Sequence, residues 1–195
     1  MRIYTKKGDD GTTGLLYGGR VAKDAGAIEL NGAVDEAQAC LGVARAQTER
    51  GGELDTVLID VERDLYTLMA EVATAESNRE KLRPGVTLVT EDMVEKLELM
   101  IDAVATRFEM PTEFVIPGES RCAAALDVAR TVVRRAERQA VANRTEGSLV
   151  QKYLNRLSDL IWALARLEEG DGRSLARSSP ARTVEAEAEG RIDGS

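Results

Sequence analysis

Arg130, Arg134 and Arg138 recur every four residues, so on a helix their guanidinium groups stack along one side. Asp127 lies one turn before Arg130, Glu137 sits between Arg134 and Arg138, and Arg135 points partly away. Like charges on one stripe repel unless an anion neutralises them, and these acids do so only in part. The spacing leaves two accounts open. One is a solvated face of Glu/Arg pairs. The other is a polyphosphate site, because planar guanidinium forks match phosphate oxygens in a way that lysine does not. Asn155, Arg156 and Asp159, beside a later apolar seam, would extend such a site.

A second candidate lies at the N-terminus. Thr5-Lys6-Lys7-Gly8-Asp9-Asp10-Gly11-Thr12-Thr13-Gly14 combines basic residues, hydroxyls and glycines, and Gly18-Gly19-Arg20 and Lys23 follow. Glycines let backbone N–H groups converge on one point, and such nests bind phosphate. Neither a Walker A loop nor a G-x-G-x-x-G turn occurs, so the common nucleotide folds do not apply. A glycine-rich terminus without function is the competing account. The chain has no histidine, which removes the commonest general base and transition-metal ligand. A formal charge of −8 argues against nucleic acid or an anionic membrane as partner, so any anion site must be a local concentration of Arg and Lys.

The elements that must position these groups follow from apolar periodicity. The chain has 195 residues, enough for one domain, and only 4% are aromatic, so the core must be built from Leu, Val, Ile and Ala. Spacings of three and four define five seams. Leu30, Val34, Ala37, Leu41 and Ala44 form the first, and Leu54, Leu58, Val61, Leu65, Leu68 and Val72 the second. Met93, Leu97, Ile101, Val104 and Phe108 form the third. Leu126, Ala129, Val133, Ala136 and Ala140 form the fourth, and Val150, Leu154, Leu157, Ile161 and Leu164 the fifth. Gly51-Gly52, Arg83-Pro84-Gly85, Pro117-Gly118 and Gly147 punctuate them, and Thr90 before Glu91 and Asp92 has the form of an N-cap. The expectation is an all-α protein, a five-helix up-and-down bundle over residues 24–169 behind a glycine-rich loop, 1–23. Residues 170–195 are expected to be a disordered tail. Cys40 and Cys122 are expected to be free thiols, and the absence of a signal-like or membrane-spanning run predicts a cytoplasmic protein.

Several blocks together resemble a known family. They are Ile3-Tyr4-Thr5-Lys6-Lys7-Gly8-Asp9-Asp10-Gly11-Thr12-Thr13, Gly19-Arg20-Val21-Ala22-Lys23-Asp24, Val34-Asp35-Glu36, Phe114-Val115-Ile116-Pro117-Gly118, Ala129 through Arg138, and Tyr153 through Asp159. In this order they are similar to the PduO-type ATP:cob(I)alamin adenosyltransferases, with coverage to about Leu167. The resemblance implies homotrimers with active sites at subunit interfaces. It implies that Thr5, Lys6, Lys7, Gly8, Thr13, Gly14 and Lys23 wrap the ATP phosphates. Arg134, Arg135, Ala136, Glu137, Arg138 and Asn155 of a neighbouring subunit meet the nucleotide. Asp35 pairs with Arg130 across the interface, and Phe114 lies under the corrin ring, keeping lower ligands off Co(II). Glu137 is the candidate contact for Mg²⁺. The implied reaction needs no protein nucleophile: Co(I) attacks the 5′ carbon of ATP and triphosphate leaves. An electron donor for Co(II) and an adenosylcobalamin-dependent enzyme are the implied partners.

The pattern has departures. Gly14 replaces a usual serine, Lys7 a usual threonine, and Glu119 a common glycine. They keep two further readings in view: a corrinoid-holding or delivery protein without turnover, and a helical interaction module.

Overall fold

A computed structural model describes residues 3–170 and 172–176. The glycine-rich opening contains a small antiparallel hairpin of β1 (Thr12–Gly14) and β2 (Arg20–Ala22), with Thr13 opposite Val21. Five helices follow: α1 (Gly26–Arg45), α2 (Glu53–Val72), α3 (Glu91–Ala105), α4 (Arg121–Ala142) and α5 (Val150–Glu169). A 3₁₀ turn, Glu76–Lys81, lies between α2 and α3.

Contacts at the helix ends set the directions. Gly26 opens α1 against Asn143 at the end of α4, and a Cβ there would lie 1.9 Å from the Asn143 Oδ1, so a larger residue would displace the Asn143 side chain. At the other end, Cys122 Sγ lies 3.8 Å from the Ala44 carbonyl oxygen, so α1 and α4 are antiparallel. Arg45 bonds Asp55 across the short α1–α2 connection. Arg107, just past α3, pairs with Glu53 at the start of α2. Lys152 with Glu91 and Arg156 with Glu98 show α5 running parallel to α3. The helices therefore alternate up and down, as expected. The ring order α2-α1-α4-α5-α3 has an odd number of members, so one neighbouring pair must be parallel.

The core follows the predicted seams. Val34, Leu41, Leu58, Leu65, Leu68, Leu97, Leu126, Leu154, Leu157 and Ile161 are all buried, and each large side chain contributes about 1.5–3 kcal/mol by leaving water. Ala123, Ala129, Ala136 and Ala140 on α4 carry no bulk beyond Cβ, so α4 packs closely on both α1 and α5. Ser120 caps α4, and Thr90 caps α3 as its position predicts.

Two expectations are corrected. Phe108 does not belong to the third helix: α3 ends at Ala105, the Thr106 hydroxyl bonds the Ala103 carbonyl, and Phe108 packs edge-on against Trp162 with ring centroids 6.1 Å apart. The N-terminal loop is not wholly irregular, since it carries the hairpin. Of the tail, residues 174–176 pair with 114–116, while 177–195 lie outside the described residues.

Candidate functional site

The N-terminal loop is held in shape by one side chain. Arg20, at the start of β2, folds back so that Nη2 donates to the Lys7 carbonyl at 2.5 Å and Nε to Thr12 Oγ1 at 3.0 Å. Asp10 accepts from the Thr12 amide and hydroxyl. These bonds lower the Asp10 carboxyl, with Arg20 adding to them. The Lys23 amide bonds the Gly11 carbonyl at 2.9 Å. The Lys23 ammonium crowds Gly8, where a Cβ would approach Nζ and the Thr12 carbonyl at 3.1 Å each. A side chain at Gly8 would therefore crowd Lys23 and the Thr12 carbonyl. Gly14 is open, because a Cβ there meets nothing within 4 Å. Thr5, Lys6 and Lys7 stay exposed, and Thr13 is half-buried in β1.

Helix α4 divides its cations between two sides. Arg135 turns toward α1 and pairs with Glu36. Lys23, Glu36, Arg135 and Gln139 line a groove of about 250 Å³ between the loop, α1 and α4. On the α5 side, Glu137 accepts from Asn155 Nδ2 at 3.0 Å and lies 3.6 Å from Arg134. Arg156 donates to the Asn155 side-chain oxygen at 2.7 Å, which fixes the amide orientation. Arg134 and Arg138 remain exposed, and Arg138 reaches back to the Arg134 carbonyl. Ala136, between them, is fully buried and serves the core.

The structure therefore brings Lys23 to Arg135, and Arg134 and Glu137 to Asn155. Among the described residues, no hydrogen bond or ion pair joins Thr5 through Thr13 to Arg134, Arg138 or Asn155 within one chain. Asp35 is exposed on α1 and does not meet Arg130, whose Nε donates to Asp127 at 3.0 Å.

Below the stripe lies a cavity of about 720 Å³ between α4, α5 and the segment joining α3 to α4. Phe114, Asp127, Arg130, Trp162, Arg166 and Ala176 are among its walls. Phe114 is 87% exposed. The polar floor of this cavity lies off the apolar seams. Arg166 is 2% exposed, donates to Asp127 at 2.5 Å and to Glu169 Oε1 at 2.9 Å, and lies over the Trp162 ring at 5.6 Å. Its Nε faces Glu169 Oε2 at 2.8 Å without hydrogen-bond alignment, so that contact is ionic only. Burial pushes the Glu169 carboxyl up, while Arg166 pulls it down. Asp127 thus bridges the buried Arg166 and the cavity-facing Arg130. The sequence carried a signal for this: an i,i+3 Arg/Glu pair inside an apolar run.

Comparison with known proteins gives concordant matches. The sequence profile of the cobalamin adenosyltransferase family matches residues 3–168. A corrinoid adenosyltransferase from Mycobacterium tuberculosis is 40% identical over 188 residues, covering 94% of this chain and 96% of that protein. One from Bacillus subtilis is 37% identical over 173 residues, covering 86% of each. Among solved structures, a variant PduO-type ATP:corrinoid adenosyltransferase from Lactobacillus reuteri, complexed with cobalamin and ATP, superposes with a TM-score of 0.77 at 31% identity, covering 86% of this chain and 93% of that one.

Proposed function

Because the chain belongs to the cobalamin adenosyltransferase family, we propose that it transfers the 5′-deoxyadenosyl group of ATP to cob(I)alamin, reduced from cob(II)alamin, forming adenosylcobalamin and releasing triphosphate. The observation that carries the assignment of residues is the layout of α4. Arg130 faces the cavity beside Phe114, and Arg134 and Arg138 follow on the same side. One helical turn advances about 5.4 Å, so a corrinoid over Phe114 and a triphosphate on Arg134 and Arg138 would be immediate neighbours. The 5′ carbon belongs between them.

The electron pair of Co(I) forms the cobalt–carbon bond as the C5′–oxygen bond breaks, and its electrons depart on the triphosphate. No protein base or nucleophile is needed, which suits a chain without histidine. The protein's tasks are alignment and stabilisation of the charge gathering on the leaving group. Arg134, Arg138 and Asn155 do this from one subunit. Thr5, Lys6, Lys7, Gly8, Thr13, Gly14 and Lys23 enclose the phosphates from another, and Arg135 joins once it exchanges Glu36 for phosphate oxygen. The separation of these two groups within a single chain supports an interfacial site in a homotrimer. Asp35, exposed on the α1 surface, would then reach Arg130 of a neighbour, whose Nε is held by Asp127.

Mg²⁺ would neutralise part of the triphosphate charge. The residues fit this modestly: among the described residues no cluster of three acidic, Cys or His ligands exists. Mg²⁺ is commonly held by one or two carboxylates plus phosphate oxygens and water. Glu137, its side chain 15% exposed and steadied by Asn155, would be the carboxylate for that role. Two free cysteines suit the reducing cytoplasm. No helix among the described residues is long and apolar enough to cross a membrane.

The test is turnover. With MgATP and chemically reduced cobalamin, a light-sensitive cobalt–carbon bond and triphosphate should appear in equal amounts. Binding of both substrates without triphosphate would leave a corrinoid-holding protein. No ATP affinity would leave a helical interaction module.

A further inference from the structure

The segment that carries Phe114 is weakly constrained by its own sequence. Residues 106–120 join α3 to α4 without a helix or a paired strand of their own, and the Phe114 ring makes so little contact that side-chain packing cannot hold it. The backbone holds it instead, through the chain beyond α5. That helix ends at Glu169, and Gly170 turns the chain with φ +61 and ψ −146, a conformation open only to glycine. The chain then runs antiparallel to the Phe114 segment. The Ala176 amide donates to the Phe114 carbonyl at 2.8 Å, and the Ile116 amide donates to the Ser174 carbonyl at 2.9 Å. Val115 and Leu175 are thereby paired.

Two side chains fasten the strap at its base. The Ser174 amide donates to Glu119 Oε1 at 3.2 Å. Arg173 donates to the Glu109 carbonyl at 2.7 Å and lies over the Phe108 ring at 5.6 Å. Phe108 packs in turn on Trp162, which lines the same cavity as Phe114 and Ala176.

We infer that residues 173–176 are a positioning strap for Phe114, anchored by Arg173 and Glu119, which sets the height of the ring at the corrinoid cavity. The inference rests on the function proposed above, and it makes the residues after α5 part of the working enzyme. The strap's bonds to Glu109, Phe114, Ile116 and Glu119 all lie on the segment that carries Phe114, so nucleotide binding should not depend on it.

Two variants test this in the full-length protein. Ala176→Pro deletes the amide that bonds Phe114, and Arg173→Ala removes the anchor. Ala176 is exposed and Arg173 half-buried, and neither belongs to the bundle core, so the bundle should fold unchanged by circular dichroism. The double variant should bind MgATP within about twofold of wild type and lose protection of the Ile116 amide in hydrogen exchange. Loosening the strap should cut adenosylation from cob(II)alamin about tenfold, with a smaller loss from pre-reduced cob(I)alamin. Wild-type rates from cob(II)alamin, or an Ile116 amide equally protected in the variant, would overturn the inference. If the unmodified protein released no triphosphate, the proposed activity would fall and the strap's corrinoid role with it. The exchange measurement separates that case from failure of the strap alone.

Discussion

Arg134 is half-exposed, and its one ionic contact, to Glu137 at 3.6 Å, is long. Such a pair contributes little to stability. Arg134→Ala should therefore leave the melting temperature nearly unchanged while weakening MgATP binding by about 1.5–3 kcal/mol, the worth of a charge-assisted contact. Isothermal titration checks this, and an unchanged affinity would remove Arg134 from the site. The four-residue spacing of the arginines was legible from sequence because it depends only on helical geometry. The partner of each was not. Arg135 meets Glu36 and Glu137 meets Asn155 because α4 lies between α1 and α5, a fact of tertiary packing. Arg166 is similar: its i,i+3 spacing to Glu169 is a local pattern, but its bond to Asp127 comes from another helix.

At the scale of elements, long amphipathic seams were legible and short stitched pieces were not. The five helices bury most of the positions their periodicity marks, with Leu54, Val72, Met93 and Ile101 half-buried at the core's edge, whereas β1 and β2 are three residues each and have no periodicity to show. Their pairing relies on Arg20 reaching back across the loop. The contact of α2 with α5 holds a titration that can be measured. The Tyr153 hydroxyl donates to Asp64 Oδ2 at 3.0 Å, and burial raises the Asp64 carboxyl above its ordinary value, the Tyr153 bond opposing it. The tyrosine is pushed well up by burial and by Asp64. A carboxyl raised in the folded state favours folding fully below its unfolded value of about 3.9. That contribution is lost as pH rises through the folded value. At neutral pH the ionised Asp64 is consequently a cost. Asp64→Asn keeps an acceptor for Tyr153 and should raise the melting temperature at pH 7 by about 1–3 °C, an advantage that shrinks below pH 4. Equal melting temperatures at pH 7 would show that solvent already reaches the carboxylate.

For the whole molecule, a chain of net charge −8 concentrates its usable cations on the N-terminal loop and on α4. Low overall affinity for polyanions is thereby combined with a local site for one triphosphate. The cavity with Phe114 lies at the other end of the same stripe, and the account stands on these two regions acting on two joined reactants. The most direct measurement is a low-temperature electron paramagnetic resonance spectrum of the protein with cob(II)alamin and MgATP. The account predicts a four-coordinate Co(II) signal in the wild type, absent in Phe114→Ala although that variant still binds ATP. A wild-type spectrum in which Co(II) keeps its lower ligand, with MgATP bound, would contradict it.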